Sequence, residues 1–543
     1  MIENTEKPKK GTSRMGKINV LDCTLRDGGY CNQWEFGYNN IKKIIDGLDR
    51  AGISISECGF LTQKATYVPG VTKFTSVEQM VEFLPESRAG KLYVAMMNYG
   101  EYNLTDLLAH DDSFIDGIRV AFHKKNWRDA LETCKEIKDK GYLVFIQPMV
   151  SLAYSDEEFL EMIRCVNELD PYAFYIVDSF GEMRQNDLIR LFYLVEHNLK
   201  DSIRIGFHSH NNMQLAYSNA VTLVDMHSPR ELIIDASVYG MGRGAGNLNT
   251  ELFVEHLNNG GYGNYELSPL LIIIDEILNA FHERNFWGYS LPNYISAKHH
   301  AHPNYAFYLD GKKTLTVENM DRIFDMLDPE KRVNYDRDYI EKIYLEFMSR
   351  NSDEELSLAD ENSFAKFLKG KKILLIAPGK SSTVEKERIA SFANSKDVVT
   401  ISVNYEYPYT DVDYIFVSNM RRYRELPSYV LCKAIATSNL NAENTFLQVN
   451  YKELLSNVES VKDNAGLMAI KFFMDCGIKE IYLAGLDGYD HENEKNYGDR
   501  DMSVYMKPEV IDATNKGVSQ VVTEYAGKIK IEFLTKPKYI IIG

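Results

Sequence analysis

The strongest constraint on the fold is a regular alternation of short apolar runs with amphipathic helical stretches from residue 17 onward. Short apolar runs predict strands, and the stretches between them carry the helical period. Eight strands that each precede a helix, within roughly 250 residues, are what a (β/α)8 barrel needs. The predicted strands are Ile18–Asp22, Ile55–Gly59, Leu92–Met97, Gly117–Ala121, Leu143–Gln147, Ala173–Asp178, Ile203–His208 and Leu232–Ala236.

Three polar motifs lie at the ends of strands one and seven and after strand eight of this predicted barrel. They are LDCTLRDGG (residues 21–29), HSH (residues 208–210) and GMGRGAGN (residues 240–247). Strands one, seven and eight are neighbours in a closed barrel, and functional residues of such barrels lie at the carboxyl ends of the strands. We therefore expect the three motifs to meet at one rim.

The residue types in these motifs suit a divalent metal ion. Asp27 offers a carboxylate, and residues i and i+2 of an extended strand end point to the same side, so His208 and His210 can face one ion. This set fits Mn²⁺, Mg²⁺ or Zn²⁺ and leaves positions for substrate oxygens. Arg26 adds a permanent positive charge suited to a carboxylate or an enolate.

Each motif taken alone has a simpler interpretation. Two alternate histidines are usually ordinary surface or cleft residues, and an Arg-Asp pair is usually a solvated ion pair. The glycine run is also typical of a loop that needs positive backbone dihedrals, or of a dinucleotide fingerprint. Its position after the eighth strand disfavours the dinucleotide interpretation, and the joint placement of all three motifs favours the metal site.

With these motifs, residues 17 to about 340 resemble the metal-dependent aldolase and lyase superfamily that includes 4-hydroxy-2-oxovalerate aldolase, hydroxymethylglutaryl-CoA lyase and isopropylmalate synthase. The resemblance is strongest to the 4-hydroxy-2-oxoacid aldolases, through LDCTLRDGG, FHSHNN, IVDSFGEM and DASVYGMGRGAGN. It implies a (β/α)8 barrel that acts on a 2-oxo acid through a pyruvate enolate, with Mn²⁺ as the first expectation and Mg²⁺ or Zn²⁺ as alternatives.

The resemblance also implies roles for individual residues. Asp27, His208 and His210 correspond to the metal ligands, and Arg26 corresponds to the arginine that steadies the enolate. Asn247 corresponds to a position that ligates or approaches the metal in some relatives, and it can equally serve to cap its turn.

Tyr30 departs from the pattern of the resembling aldolases, which carry a histidine there as the acid and base for the substrate hydroxyl. A phenol has an ordinary pKa of about 10, so it is a poorer base near neutral pH but a serviceable hydrogen-bond donor. Tyr30 can act itself, act through water or shape the substrate pocket. Tyr289 or His299 are the alternatives for the proton.

Other polar residues at strand ends are candidates for substrate contacts, with a buried structural network as the competing interpretation. Tyr289 lies in an aromatic segment that can supply the site or form a packing seam. His299, His300 and His302 are interpreted as a solvated loop cluster. The candidate substrate contacts are Glu57, Arg119, Gln147, Asp178 and Ser179.

Composition and charge favour a cytoplasmic enzyme. The chain has 543 residues, a net charge of −17 and seven cysteines without metal-finger spacing. The negative charge disfavours nucleic-acid and anionic-membrane partners. The polar start MIENTEKPKKGTSRMGK is unlike a signal peptide, and no apolar run is long enough to span a bilayer. The scattered cysteines are interpreted as reduced core residues.

The chain is too long for one hydrophobic core, so several regions are expected. In the resembling aldolases, a helical extension packs beside the rim and in some of them receives a partner dehydrogenase, which implies a homodimer or a partner enzyme here. The expected regions are a flexible tail (1–16), the barrel (17–265), a helical extension (266–350), a linker (351–370) and a Rossmann-like α/β domain (371–543).

The C-terminal region alternates apolar runs with helical stretches, beginning with KKILLIAPGKSSTVEKE. Ser382 and Glu385 fit a capping box, and the first turn can hold a phosphate at a helix N-terminus. The region resembles Rossmann-like domains of the sialyltransferase and hydroxymethylpterin pyrophosphokinase type, which implies a nucleotide or nucleotide sugar as partner, with a purely structural role as the alternative. The candidate residues are Gly379, Lys380, Ser381, Asn404, Ser418, Asn419 and Asp487.

Together these expectations describe a metal-dependent aldolase for 4-hydroxy-2-oxo acids, in glycan or nucleotide-sugar-linked biosynthesis. Two alternatives stay open. One is a Claisen-type enzyme that condenses an acyl-CoA. The other is a non-catalytic barrel fused to a nucleotide-binding or nucleotide-sugar-binding transferase domain.

Overall fold

The computed structural model describes residues 15–88, 90–350 and 358–541, and the chain divides into two compact units. One unit takes in the chain up to Ala306 together with Arg332–Tyr335. The other takes in Phe307–Lys331 and the chain from Asp336 onward. Residues 1–14 of the predicted tail and residues 351–357 of the predicted linker lie outside the described residues.

The first unit contains a closed barrel of eight parallel strands, as the sequence predicts. Each strand pairs in parallel with the next, and β1 pairs with both β2 and β8. The predicted strand ends differ from the observed ends by at most two residues. The strands are β1 (Ile18–Asp22), β2 (Ile55–Leu61), β3 (Leu92–Asn98), β4 (Gly117–Phe122), β5 (Leu143–Pro148), β6 (Ala173–Asp178), β7 (Arg204–Ser209) and β8 (Leu232–Ala236).

The barrel strands are buried along nearly their whole length because side chains fill the interior and helices cover the outside. The first long helix, Tyr38–Ala51, buries Ile41, Ile44, Ile45 and Leu48, which repeat at helical spacing. The helices between and after the strands are Thr24–Asp27, Gly29–Asn32, Tyr38–Ala51, Glu78–Val81, Trp127–Asp139, Asp156–Leu169, Gln185–Asn198, Ala216–Asp225 and Thr250–Gly260.

The connection after β3 departs from the predicted pattern, because it contains only the 3-10 turn Leu104–Asp106. Asn103 accepts a hydrogen bond from the Thr105 amide, and Asp111 accepts one from the Ser113 amide. Short polar side chains that bind nearby backbone groups in this way compete with helix formation. The expectation of a helix after every strand is therefore wrong at this connection.

The predicted helical extension is helical, but the boundary between the two units falls inside it, at Ala306. The predicted linker contains a helix, Leu358–Leu368, because Phe364 and Leu368 are buried one helical turn apart. In the described part of the chain, no helix is long and apolar enough to cross a bilayer. The helices of the extension are Leu267–Ile273, the π-helix Ile274–Leu278, Asn279–Arg284, Leu291–Lys298, Pro303–Gly311, Val317–Asp325 and Arg337–Ser349.

The second unit contains an open parallel sheet of seven strands in the order β13-β12-β11-β10-β9-β14-β15. Six of them coincide with the apolar runs KKILLI, VVTISVN, DYIFVSN, TFLQVN, EIYLAG and IKIEFL that the sequence predicts as strands. The sequence misses the four-residue strand Ala434–Thr437, which is too short to show a period. The strands are β9 (Lys372–Ile376), β10 (Val398–Val403), β11 (Tyr414–Val417), β12 (Ala434–Thr437), β13 (Leu447–Val449), β14 (Glu480–Ala484) and β15 (Lys530–Phe533). Its helices are Lys380–Val384, Lys386–Ala393, Met420–Glu425, Ala465–Asp475 and Pro508–Ala526.

The predicted capping box of Ser382 and Glu385 is wrong. The helix after β9 begins at Lys380, and Gly379 is its N-cap residue. Ser382 lies inside this helix, where its hydroxyl donates a hydrogen bond of 2.8 Å to the Gly379 carbonyl.

Candidate metal centre

Asp27, His208 and His210 meet at the carboxyl rim of the barrel. Their nearest donor atoms all lie within 4.8 Å of one another, and all three residues are buried. The two imidazole rings are nearly perpendicular, with centres 5.1 Å apart. The single-turn helix Thr24–Asp27 brings in Asp27 directly after β1, and the end of β7 brings in the two histidines. The geometry expected from the two motifs is therefore present.

Charged and polar neighbours keep the Asp27 carboxylate ionised. Burial opposes its ionisation, but Arg26 lies 2.5 Å from Oδ1, and Asn247 donates a hydrogen bond of 2.7 Å to Oδ2. These contacts and the histidines hold the pKa of Asp27 below its usual range. An ionised carboxylate is the form that a metal ion binds.

His210 is held in the neutral form that a metal ion binds. Burial lowers the pKa of His210 to about 3, and the cationic groups nearby act in the same direction. The Nδ1 atom of His208 lies 3.0 Å from Oδ2 of Asp235, which fixes the ring orientation. Asp235 is a residue that the sequence interpretation missed.

A chain of buried ion pairs supports the site from inside the barrel. Arg26 Nε lies 2.8 Å from Glu57 Oε2, and Arg119 Nη1 lies 2.9 Å from the same oxygen. Arg119 also forms an ion pair with Asp235. Glu57 and Arg119, which the sequence offers as substrate contacts, therefore connect Arg26 with the partner of His208.

The donor set fits a divalent metal ion. Among the described residues, His210 Nδ1, Asn247 Oδ1 and Arg26 Nη2 are buried without a hydrogen-bond partner. Buried polar atoms are nearly always paired, so such a concentration at one place fits a site that binds an ion or a substrate. One carboxylate with two imidazoles is a ligand set for Mn²⁺, Mg²⁺ or Zn²⁺.

The glycine run after β8 allows the backbone to pack directly against this group. A Cβ atom on Gly242 would lie 2.2 Å from Asn247 Nδ2 and 2.7 Å from Asp27 Oδ2. Gly246 has a φ of +88°, and its Cβ would lie 2.0 Å from the Gly240 carbonyl oxygen. Asn247 also donates a hydrogen bond to the Met241 carbonyl, so it contacts Asp27 and closes its own turn at once.

Tyr30 lies at the rim and remains 44% exposed. Its ring centre is 4.7 Å from that of Trp34, and the Arg243 guanidinium lies 5.8 Å from its ring centre. The loss of solvent around the phenol raises the pKa of Tyr30 above its ordinary value. The hydroxyl is therefore protonated near neutral pH.

The remaining predicted rim residues have mostly local contacts. Asp178 accepts hydrogen bonds from the Glu182 and Met183 amides, and burial with the Glu182 charge raises the pKa of Asp178 to about 7. The Ser179 hydroxyl accepts a hydrogen bond from the Val150 amide. Gln147 is buried, and among the described residues its Nε2 atom has no hydrogen-bond partner.

Tyr289 is 56% exposed, and its ring lies 6.4 Å from that of Tyr294. Among the described residues, no ring contact joins Tyr289 to the Asp27, His208 and His210 group.

The histidines at 299, 300 and 302 do not form a metal-ligand group with one another among the described residues. The expectation of a solvated cluster is wrong for His299, which is 8% exposed, because it is packed at the end of the helix Leu291–Lys298. His300 is exposed and contacts Glu182 at 3.1 Å. His302 packs between the rings of Phe180 and Tyr335.

Arg243 is a second residue that the sequence interpretation missed. It sits inside the glycine run, and its Nη2 atom donates a hydrogen bond of 3.0 Å to the Ser179 carbonyl. The pattern GMGRGAGN predicts a loop, and Arg243 is the one charged residue in it, which is the sequence signal that could have marked Arg243 as a candidate site residue.

In the second unit, a cavity of about 420 Å³ opens at the carboxyl ends of the strands. It is lined by Gly379, Asn404, Ser418, Asn419 and Asp487, but not by the candidates Lys380 and Ser381. The Ser381 hydroxyl and amide instead donate to the Asp487 carboxylate. This contact holds the turn after β9 against the loop after β14.

The cavity also has lining residues that the sequence interpretation did not include. Lys312, Lys313, Arg421 and Arg422 contribute positive charge, and Arg422 pairs with Glu425 at 2.7 Å. Tyr489 and Tyr497 also line it, with ring centres 6.2 Å apart.

Residues 17–271 match the HMGL-like family model. A 4-hydroxy-2-oxovalerate aldolase of Geobacillus genomosp. 3 is 28% identical over 45% of this chain and 71% of its own length. A 4-hydroxy-2-oxovalerate aldolase 2 of Rhodococcus opacus (strain B4) is 28% identical over 49% of this chain and 76% of its own length. A solved HMG-CoA lyase from Brucella melitensis covers 50% of this chain and 98% of its own, at 16% identity and a TM-score of 0.39.

The barrel part of the chain is therefore similar to the HMGL-like family and to proteins named 4-hydroxy-2-oxovalerate aldolase. The buried Asp27, His208 and His210 group lies at the carboxyl rim of this matched part of the chain.

Proposed function

We propose that the barrel is a divalent-metal-dependent aldolase that cleaves or forms a carbon–carbon bond of a 4-hydroxy-2-oxo acid through a pyruvate enolate. The observation that carries this proposal is the buried Asp27, His208 and His210 group with Arg26 beside it. The relatives named 4-hydroxy-2-oxovalerate aldolase support the substrate class. We propose Mn²⁺ as the ion, with Mg²⁺ or Zn²⁺ as alternatives.

Asp27, His208 and His210 would hold the metal, with Asn247 beside them. When bound, the metal supplies a Lewis acid that polarises the oxygens of a 2-oxo acid. Arg26 has a buried Nη2 atom without a partner among the described residues, so it can donate to the developing enolate oxygen. Glu57 fixes the opposite side of this guanidinium and prevents it from turning away.

Cleavage of the substrate breaks the bond between C3 and C4 and leaves its electron pair with the pyruvate fragment. The C4 hydroxyl loses its proton and becomes an aldehyde, and C3 later takes up a proton. Because the Tyr30 phenol is protonated near neutral pH, we propose that it donates a hydrogen bond to the C4 oxygen and that water at the rim takes the proton.

The test is pyruvate release from a panel of 4-hydroxy-2-oxo acids that includes 4-hydroxy-2-oxovalerate and 4-hydroxy-2-oxoglutarate, with Mn²⁺ and with coupling to lactate dehydrogenase. We expect release by the wild type and a loss of at least about a hundredfold in His208→Asn, because a ligand to the metal is lost. His197→Asn is the matched control, since His197 is an exposed residue on the outer helix Gln185–Asn198. Absence of release by the wild type contradicts the proposal, and release of free thiol from acetyl-CoA would instead favour the Claisen alternative.

We propose in addition that the C-terminal sheet binds a nucleotide or a nucleotide sugar in its cavity. The chain runs outward from β9 to β13 on one side and then returns to β14 on the other side, so the order reverses between β9 and β14. Ligands of open parallel sheets bind outside the carboxyl ends at this kind of switch point. The cavity lies there, and its arginines and tyrosines suit phosphate groups and a base.

Calorimetric titration of the full chain with a panel of nucleoside diphosphates and nucleotide sugars tests this second proposal. We expect binding of at least one class and about tenfold weaker binding in Arg422→Gln. Arg388→Gln is the control, because Arg388 is exposed and pairs with Glu385, the N-cap residue of its helix. Lack of binding across the panel contradicts the proposal and leaves the structural role. That the helical extension receives a second subunit or a partner enzyme stays a prediction, as does the link to glycan biosynthesis.

A further inference from the structure

Arg243 crosses the mouth of the barrel site. The preceding Gly242 packs against Asp27 and Asn247, so the Arg243 backbone begins beside the candidate metal ligands. Its side chain reaches the Ser179 carbonyl after β6, and its guanidinium lies 5.8 Å from the Tyr30 ring centre. The side chain thus contacts the rim after β1, β6 and β8.

The charge of Arg243 is not neutralised by a carboxylate. Among the described residues, it forms no ion pair, and its hydrogen bond to a carbonyl uses only one of its N–H groups. Its positive charge acts on Tyr30, His123, His210 and His302, whose pKa values it lowers, and none of these four groups is a carboxylate. A partly buried cation without a counter-charge is costly unless an anion joins it.

The positive charge of Arg26, in contrast, is balanced by carboxylates. Arg26 contacts Asp27 at 2.5 Å and Glu57 at 2.8 Å, so most of its charge is already balanced. The two arginines therefore lie in different parts of the site. Arg26 lies at the ligand group, where the 2-oxo acid end of the substrate would bind, and Arg243 lies toward the mouth.

A second cation lies near the same mouth. Lys73 Nζ is 3.6 Å from the ring centre of Trp34, and Trp34 packs against Tyr30. The aromatic pair is thus flanked by Lys73 on one side and Arg243 on the other. This arrangement favours an anion over a neutral alkyl group at the outer part of the pocket.

We infer that the substrate carries a second anionic group, a carboxylate, on its aldehyde portion, and that Arg243 binds it. This inference rests on the proposed aldolase function. The substrate class is a 4-hydroxy-2-oxo diacid, and cleavage gives pyruvate and an aldehyde acid without any oxidant or reductant. The planar fork of an arginine matches a carboxylate with paired hydrogen bonds.

The first experiment compares 4-hydroxy-2-oxoglutarate with 4-hydroxy-2-oxovalerate, which differ in a terminal carboxylate against a methyl group. With the full chain and Mn²⁺, we expect kcat/KM to favour the diacid by about tenfold or more, because a charge-assisted pair is gained. In Arg243→Ala this ratio falls to near one. Arg243→Lys keeps an intermediate ratio, because the charge remains and the fork is lost.

Arg50→Ala is the matched control for the loss of one positive charge. Arg50 is exposed in the last turn of the helix Tyr38–Ala51, which leads into the opposite end of the barrel from Arg243. We expect the wild-type ratio in this variant. Higher salt should reduce the preference of the wild type, because salt screens the added pair.

A binding measurement separates the inference from catalysis. Calorimetry with 2-oxoglutarate and 2-oxovalerate, which lack the hydroxyl needed for cleavage, should show tighter binding of the diacid by the wild type. Arg243→Ala should lose that difference. If neither hydroxy acid is cleaved, the proposed function fails, and the calorimetric difference still tests Arg243. Equal use of both substrates, or an equal loss of both in Arg243→Ala, would overturn the inference while the aldolase stands.

Discussion

The barrel rim and the cavity of the C-terminal sheet both gather polar side chains at the carboxyl ends of parallel strands, but they differ in how these side chains are satisfied. At the rim, His210, Asn247 and Arg26 keep buried atoms without a hydrogen-bond partner. Among the described residues that line the C-terminal cavity, no buried side-chain atom is left in this way.

This difference predicts how tightly each region binds a ligand. A site with unpaired buried donors and acceptors is built for an ion or a substrate that completes it, because leaving such atoms unpaired costs free energy. The cavity of the C-terminal sheet has no such buried unpaired atom among its described lining residues, so a ligand there would replace water at polar groups that are open to solvent. We therefore expect the tighter and more specific binding at the barrel rim.

Asp235→Asn should have the largest effect on stability and on metal affinity. The substitution leaves the buried Arg119 without one of its two carboxylate partners and removes the charge that orients His208. We expect the unfolding free energy to fall by about 3 kcal/mol and Mn²⁺ affinity to fall about 10–100-fold. Denaturant unfolding and Mn²⁺ titration measure the two effects. Asp201→Asn, at a fully exposed carboxylate, should change neither.

Mn²⁺ should stabilise one unit and not the other. A ligand at about a hundredfold excess over its Kd stabilises the unit that binds it by about 2.7 kcal/mol. In calorimetric unfolding we expect the transition of the barrel to move to a higher temperature and that of the C-terminal unit to stay in place. Movement of both transitions, or of the C-terminal one alone, would contradict a metal site confined to the barrel.

The strand pattern and the ligand residues could be predicted from the sequence because both depend on neighbours along the chain. Apolar runs mark the strands, and Asp27, His208 and His210 lie at strand ends or within a few residues of them. The contacts that the sequence did not reveal join distant segments. Asp235 and Arg119 are 116 residues apart, and their pairing follows only from the closed barrel.

Local patterns also failed where a tertiary contact outweighed them. Ser381 faces Asp487 and not the cavity, because the loop after β14 brings a carboxylate to its hydroxyl and amide. Ser382 matches a capping pattern, yet the helix begins two residues earlier, at Lys380. Arg243 lies in a run that signals only a loop, and its position across the mouth depends on Ser179 and Tyr30.

Protonation of His302 should make the barrel unit less stable at acid pH. Burial, with Arg243 and His123 adding positive charge, lowers the pKa of His302 to about 3, against about 6.5 in the unfolded chain. The stability that the neutral ring contributes is complete above pH 6.5 and is lost as the pH falls toward 3. At pH 5 we expect a loss of about 2 kcal/mol from this group.

Metal-free His302→Phe should lose less stability between pH 7 and pH 5 than the metal-free wild type, because the aromatic packing is kept and the titration is removed. Denaturant unfolding at the two pH values measures the difference. An equal loss in both proteins would show that His302 does not contribute to the acid sensitivity.

Tyr30→Phe should have the smallest effect. If Tyr30 donates a hydrogen bond and does not act as the base, kcat/KM for the 4-hydroxy-2-oxo acid should fall by less than about tenfold, with Mn²⁺ affinity unchanged. Pyruvate release and Mn²⁺ titration measure the two quantities. A fall of about a hundredfold or more would make Tyr30 the acid and base of the reaction.

The most direct test of the central claim is pyruvate release from a 4-hydroxy-2-oxo acid by the full chain, first after chelation and then after addition of Mn²⁺. For a metal-dependent aldolase, we expect release to stop on chelation, to return with Mn²⁺ and not to return in Asp27→Asn. Release that continues without metal, or that survives the loss of Asp27, would contradict this expectation.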